Sequence, residues 1–292
     1  MEPLKGREGS ATVAVITVIG EELAAAREIL GLNQNIQGTP HYVSAYSPER
    51  RYGVVLTKCS GRGNIPAAAA VRSLVEDYRP HFLLLVGIAG GVSGRDGVGL
   101  GDVVLADYIE YSEYMKIAAG GWRIRREPHD HPSLYLRARV AEPQGALGGW
   151  TAKLEGRPRP NAGTSKLLVG TIVAGEKILG DPDNEYQQEV LDFFDKALAV
   201  EMEAMGFVSA IFESRSSVHY NPQCLVIRGI SDLVDVVGVD IDATRAAWKQ
   251  YAAFAAAAFG ASVTESLLAL HHSHQASLGL FGAISRKAKS WF

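Results

Sequence analysis

Apolar residues in this chain come in short, dense runs separated by polar, glycine-rich breaks. Residues 12–19 (TVAVITVI) are β-branched or apolar throughout, which predicts a strand covered on both faces. Gly20 breaks the run, and residues 21–30 (EELAAAREIL) carry strong helix formers. A strand, a turn holding two carboxylates and a helix are therefore expected in that order. Residues 51–59 (RYGVVLTKC) predict a second strand, ending in Ser60-Gly61-Arg62-Gly63-Asn64. A helix follows over 66–78, with Pro66 in its first turn, where the missing N–H costs nothing. Residues 82–88 (FLLLVGI) predict a third buried strand that runs into a glycine-rich loop, and 102–107 (DVVLAD) a fourth.

The stretch 108–165 is rich in Arg, Pro, Gly and His and lacks sustained periodicity, so long loops over a site are expected there, plus a helix at 133–141. Regular patterning resumes with a strand at 167–174, a helix at 187–196 and a short strand at 197–201. A helix at 202–214, a strand at 223–230 and a long Ala-rich helix at 244–270 complete the series. Strands alternating with helices predict an α/β fold, here a single three-layer α/β/α domain around a central mixed, largely parallel sheet. That domain spans 12–270, between tails at 1–11 and 271–292. The last residues, LGLFGAISRKAKSWF, place apolar groups at helical spacing among three cations. A loosely packed end is expected, with docking on a partner or membrane surface as the alternative.

Composition narrows the classes. A chain of 292 residues with 47% hydrophobic and 21% charged residues buries a substantial core. Its net charge of −3 offers no general attraction to nucleic acid or to an anionic membrane, so any anion must be held by a local cluster. Two cysteines, Cys59 and Cys224, make neither a disulfide framework nor a metal site and fit a reducing, cytoplasmic setting. The first ten residues lack the apolar core of a signal peptide, and the longest apolar runs are too short or too Ala-rich for a bilayer span. His129, His131, His271, His272 and His274 have no acid or Cys partners at metal-ligand spacing, so neither a metal nor an organic cofactor is expected. Ser60, Ser93 and Ser231 lack a nucleophile-elbow context, which argues against acyl transfer.

In α/β sheets of this kind ligands bind beyond the carboxyl ends of strands. Several strands here end in polar or small residues: Glu21-Glu22, the 60–64 turn, Gly87-Ile88-Ala89-Gly90-Gly91, Val200-Glu201-Met202-Glu203 and Ser231-Asp232. Singly, each has a local explanation: a carboxylate at a helix start caps it, and a GxAGG run makes a tight turn. Together they put acids and small-residue loops, with Gly87, Ala89 and Gly90 among them, on one edge of the sheet.

The ordered set VGIAGGV (86–92), GLGDVVLAD (99–107), GTIVAGEKIL (170–179), AVEMEA (199–204) and VIRGISD (226–232) resembles the nucleoside phosphorylase superfamily. The resemblance is strongest to methylthioadenosine/S-adenosylhomocysteine nucleosidases, extends to the phosphorylase-like ATP nucleosidase domains of immune effectors, and covers roughly 12–270. It implies that Asp232 is the acid beside the purine N7, supported by Ser231 and Arg228. Apolar neighbours would raise the Asp232 pKa and a helix starting there would lower it, so the net sign stays open. Glu203 matches the residue that accepts both ribose hydroxyls. Met202 would lie against the sugar or serve as a core methionine, while Ile178 and Leu179 flank the base.

The same resemblance separates hydrolysis from phosphorolysis. Where related phosphorylases hold phosphate with an Arg and a Ser, this chain has Leu85 and Ile88, and Glu22 matches the water-activating base of the nucleosidases. Hydrolysis of an adenine nucleoside or nucleotide is the expected activity, with a phosphorylase or a non-catalytic nucleotide sensor as alternatives. Lys116, Arg123 and Arg126, with Arg62, either hold 5′-phosphates or form a solvated basic loop. The family implies a homodimer or higher oligomer.

Overall fold

In the computed structural model, residues 13–32, 34–35, 42–45, 53–119, 121–125, 128–140, 149–215 and 220–289 are described. Strand β1 (Val13–Thr17) is buried at every position, and its side chains alternate between two cores. Val13 and Val15 join one, while Ala14 and Ile16 join the other. β4 (Val54–Lys58) and β5 (Phe82–Gly91) flank β1 in parallel, and β11 (Gln223–Leu233) lies parallel on β5. Beyond β4, β3 (Tyr42–Ala45) and β2 (Gln34–Asn35) add an antiparallel edge. On the other side β6 (Val103–Tyr111) runs antiparallel to β11, and β9 (Leu167–Ala174) and β10 (Ala197–Glu201) follow in parallel. The end of β10 also pairs antiparallel with the end of β5, so half of the sheet curls into a closed ring.

Helices cover both faces. The core on one side is lined by α1 (Gly20–Leu30) and α6 (Ile241–Lys289), and that on the other by α2 (Asn64–Tyr78) and α5 (Ala204–Ser214). The three layers agree with the alternation of the sequence. Shorter pieces are α3 (Leu134–Val140), a 3₁₀ turn at Trp150–Leu154 and α4 (Glu185–Phe193). α5 approaches α2 so closely that a Cβ on Gly206 would overlap the backbone carbonyl of Asn64. Gly206→Ala therefore forces the helices apart and is expected to cost about 1–3 kcal/mol, read as a lowered denaturant midpoint. An unchanged midpoint contradicts the close contact.

Several expectations change. The glycine-rich segment after residue 88 is not a loop: β5 runs on through Gly91, pairing with β10 and β11. Ser231 and Asp232 likewise lie inside β11, beside a bulge, and the next helix starts only at Ile241. No helix therefore starts at Asp232 itself. The 108–165 stretch is more regular than expected, because β6 extends to Tyr111 and a hairpin of β7 (Met115–Ala118) and β8 (Gly121–Ile124) follows. Finally, α6 continues past residue 270 to Lys289, into the segment read as a loose tail. Residues 241–270 of it are long and apolar enough to cross a bilayer, yet most of that stretch is buried in the fold.

Candidate active site

The carboxyl ends of β1, β5, β10 and β11 converge on one cleft of about 140 Å³. Glu22, in the first turn of α1, enters it from β1 with only 3% of its surface exposed. Its Oε2 accepts the backbone N–H groups of Val18 (2.6 Å) and Ile19 (3.1 Å), and Oε1 accepts that of Ile88 (2.9 Å). Two oxygens offer about four acceptor positions, so Oε1 keeps room for one more donor. Burial raises the Glu22 pKa, against the opposing pull of Arg228 and the three N–H donors.

Arg228 lies under the cleft, fully buried on β11. Its Nη2 is ion-paired to Glu201 and lies 3.4 Å from Glu203 Oε2, whereas Nε and Nη1 have no hydrogen-bond partner. Burial works against its charge, but Glu201, Glu203 and Glu22 outweigh this and raise its pKa. Gly87 is the reason these groups can meet. A Cβ there would collide with Arg228 Nη1 and stand 2.7 Å from Glu22 Oε1, so the missing side chain opens the space between acid and guanidinium. Cys59, nearby, is pushed up to about 12 by burial and the neighbouring Glu203, and its thiol stays neutral.

Glu203 is placed by the start of α5 and by the 60–63 turn: its Oε1 accepts the Gly63 N–H at 2.9 Å. Asn64 links that turn to the opposite wall, donating to Gly175 O (3.0 Å) and Glu176 Oε1 (2.8 Å) while accepting the Gly206 N–H (2.8 Å). That wall carries Lys177, Ile178 and Leu179 into the cleft, and Met202 lines the side between Glu201 and Glu203. Lys177 is held by an ion pair to Glu113 and sits 5.0 Å over the Tyr186 ring.

Asp232 closes the far end, 1% exposed. Ser231 Oγ donates to its Oδ1 at 2.6 Å. Arg245, from α6, donates Nε to Oδ1 (3.1 Å) and Nη2 to Oδ2 (2.9 Å), a two-pronged grip. The sequence reading missed this cation, which supplies the counter-charge to the buried Asp232. The ion pair also raises the Arg245 pKa against the effect of burial.

Most residues singled out in the sequence meet here: Glu22, Arg62, Ala89, Gly90, Ile178, Leu179, Met202, Glu203, Ser231 and Asp232 line the cleft, with Gly87 and Arg228 beneath. Ile88 lines it too, but Leu85 is packed in the core against α2 and α5 and faces no ligand. Lys116 and Arg123 do not line it. They sit opposite each other on the exposed face of the β7–β8 hairpin, and Arg126 lies outside the described residues. Among the described residues, the cations lining the cleft besides Arg62 are Lys177 and Arg245. Neither stood out in sequence, because Lys177 follows an unremarkable Gly-Glu and Arg245 lies 13 residues beyond Asp232.

The sheet thus curls on itself and gathers three carboxylates around a buried arginine. A family profile described as the phosphorylase superfamily matches residues 12–267, and the chain belongs to that superfamily. It is 27% identical over 249 residues to ATP nucleosidase Cap17 of Escherichia coli (strain KTE188), which covers 77% of this chain but only 46% of that protein. It is 25% identical over 229 residues to the 5′-methylthioadenosine/S-adenosylhomocysteine nucleosidase of Listeria monocytogenes serovar 1/2a, covering 77% and 87% of the two chains. The Neisseria meningitidis enzyme of that name, solved with methylthio-immucillin-A, superposes with a TM-score of 0.65 at 21% identity over 87% of this chain and 99% of that one. The chain thus spans about half the length of the ATP nucleosidases it matches.

Proposed function

We propose that this protein is a purine N-ribosyl hydrolase that cleaves the N-glycosidic bond of an adenine nucleoside or nucleotide, releasing the base. The observation that carries this reading is the placement of Glu22 beside Arg228 across Gly87, with Glu22, Glu201 and Glu203 buried around one buried guanidinium. These three carboxylates crowd one end of the cleft around the single guanidinium of Arg228, which disfavours a phosphate beside Glu22 and suits a water molecule that gives a proton to Glu22. A carboxylate with a raised pKa is also a stronger base than an ordinary one. Glu203 accepts the ribose hydroxyls and its charge favours the cation that develops on the sugar. Asp232 serves the base at the far end. Arg245 and Ser231 fix the Asp232 carboxyl at that end, where a purine edge reaches it.

The kinship to nucleosidases with adenine-type substrates supports the choice of base. For the 5′ group, Arg62 supports a nucleotide: it lines the cleft beside Gly63, the residue that holds Glu203. Arg62→Ala is expected to raise KM for ATP by about 10–100-fold, the value of one charged hydrogen bond, and to leave KM for adenosine nearly unchanged. Equal effects on both substrates would defeat the nucleotide reading. Lys116→Ala serves as the comparison, with little effect on either KM if that hairpin does not reach the site. A role in defence, a cytoplasmic location and a homo-oligomeric state belong to the same proposal.

A further inference from the structure

Glu201 holds the last position of β10, with 1% of its side chain exposed, and it also lines the cleft. Its carboxylate meets two demands at once. Both oxygens accept the Ala204 N–H at 3.0 Å, and Oε2 accepts that of Glu203 at 3.0 Å. Glu201 thereby caps α5, a task that the Glu203 side chain at the cap position does not perform. It is also the ion-pair partner of Arg228 Nη2.

Arg228 has two competing anions. Glu203 Oε2 is 3.4 Å from the same Nη2, and Glu22 stands across Gly87 from Nη1. A guanidinium bound closely to either would quench a charge that the reaction uses. We propose that Glu201 is a positioning residue: by claiming Arg228, it leaves Glu22 free to draw a proton from water and Glu203 free to accept the ribose hydroxyls. This rests on the hydrolase reading above. Cys59 also faces the cluster and, its pKa pushed up to about 12, contributes no charge, while Lys177 and Glu113, which line the recess beside Glu201, are ion-paired to each other.

Two substitutions separate charge from shape. Glu201→Gln keeps the length and one acceptor oxygen but removes the charge, whereas Glu201→Asp keeps the charge on a shorter arm. With adenosine as probe, kcat is expected to fall in the order Glu, Asp, Gln, with the Gln variant at least about tenfold below wild type. The acid limb of its pH profile moves to lower pH, because Glu22 loses an anionic neighbour and gains Arg228. A capping or packing role alone predicts the reverse order, with the isosteric Gln ahead of Asp and the acid limb unmoved; that result overturns the proposal. Titration of the Glu22 carboxylate by ¹³C NMR reads the same effect without turnover. A lower Glu22 pKa in Glu201→Gln is expected, and an unchanged one refutes the role. Wild-type protein that frees no base from any nucleoside sinks the hydrolase reading, and the NMR titration still decides whether Glu201 governs Glu22.

Discussion

Glu22→Gln is expected to lower kcat for base release by roughly 10²–10⁴-fold, the usual contribution of a positioned general base, with little change in KM. Glutamine is close in size, but it cannot copy the carboxylate. Both Glu22 oxygens accept backbone N–H groups, so the amide NH₂ must point at a donor whichever way it turns. The misfit adds about 1–3 kcal/mol of destabilisation, which denaturant unfolding measures separately from turnover. The pH profile provides a second check. Burial raises the Glu22 pKa, so activity is lost as pH falls through a value above the ordinary glutamate range. In Glu22→Gln that acid limb disappears. A variant that keeps wild-type kcat with its acid limb intact would remove Glu22 from the chemistry.

Arg228→Met carries the largest expected effect on stability. Methionine fills much of the same volume, yet it leaves Glu22, Glu201 and Glu203 buried without their counter-charge. Losing one side of a buried charge cluster costs about 3–5 kcal/mol. For a domain of this size that is a fall in Tm of roughly 6–20 °C. The sign of its pH dependence follows from Glu22 and Glu201, whose folded-state pKa values are raised by burial. Groups shifted this way lend stability that is lost as pH rises through the folded pKa. The penalty in Arg228→Met therefore shrinks on acidification, as the carboxylates protonate, and grows toward alkaline pH. A Tm deficit that is the same at every pH would show that packing, not charge, holds the cluster.

Much of the fold is legible in the chain because strands apolar at every position have one physical solution, burial between two helical layers. The 12–19 run and the 167–174 run land within a residue or two of β1 and β9 for this reason. The glycine-rich end of β5 is harder to read. Glycine marks a turn by propensity, but here Gly87 and Gly91 serve close packing against Arg228 and Ile230 inside a continuing strand. The acids of the cleft are legible as a set, since each ends a strand or opens a helix. Their partners are not. Arg245 reaches Asp232 from a different element, and Glu201 meets Arg228 across 27 residues of chain, contacts set by tertiary packing that no local spacing encodes. The cations at 116 and 123 mislead in the opposite way, because a β-hairpin turns them to the surface.

Water as the acceptor of the ribosyl group is the central claim, and isotope labelling tests it directly. ATP, adenosine and methylthioadenosine are incubated with the protein in H₂¹⁸O, with and without inorganic phosphate, and the products are separated and weighed. Hydrolysis predicts release of adenine at the same rate in both conditions, with ¹⁸O appearing at C1 of the sugar product. Base release that requires phosphate, giving a sugar 1-phosphate without label from water, would contradict it.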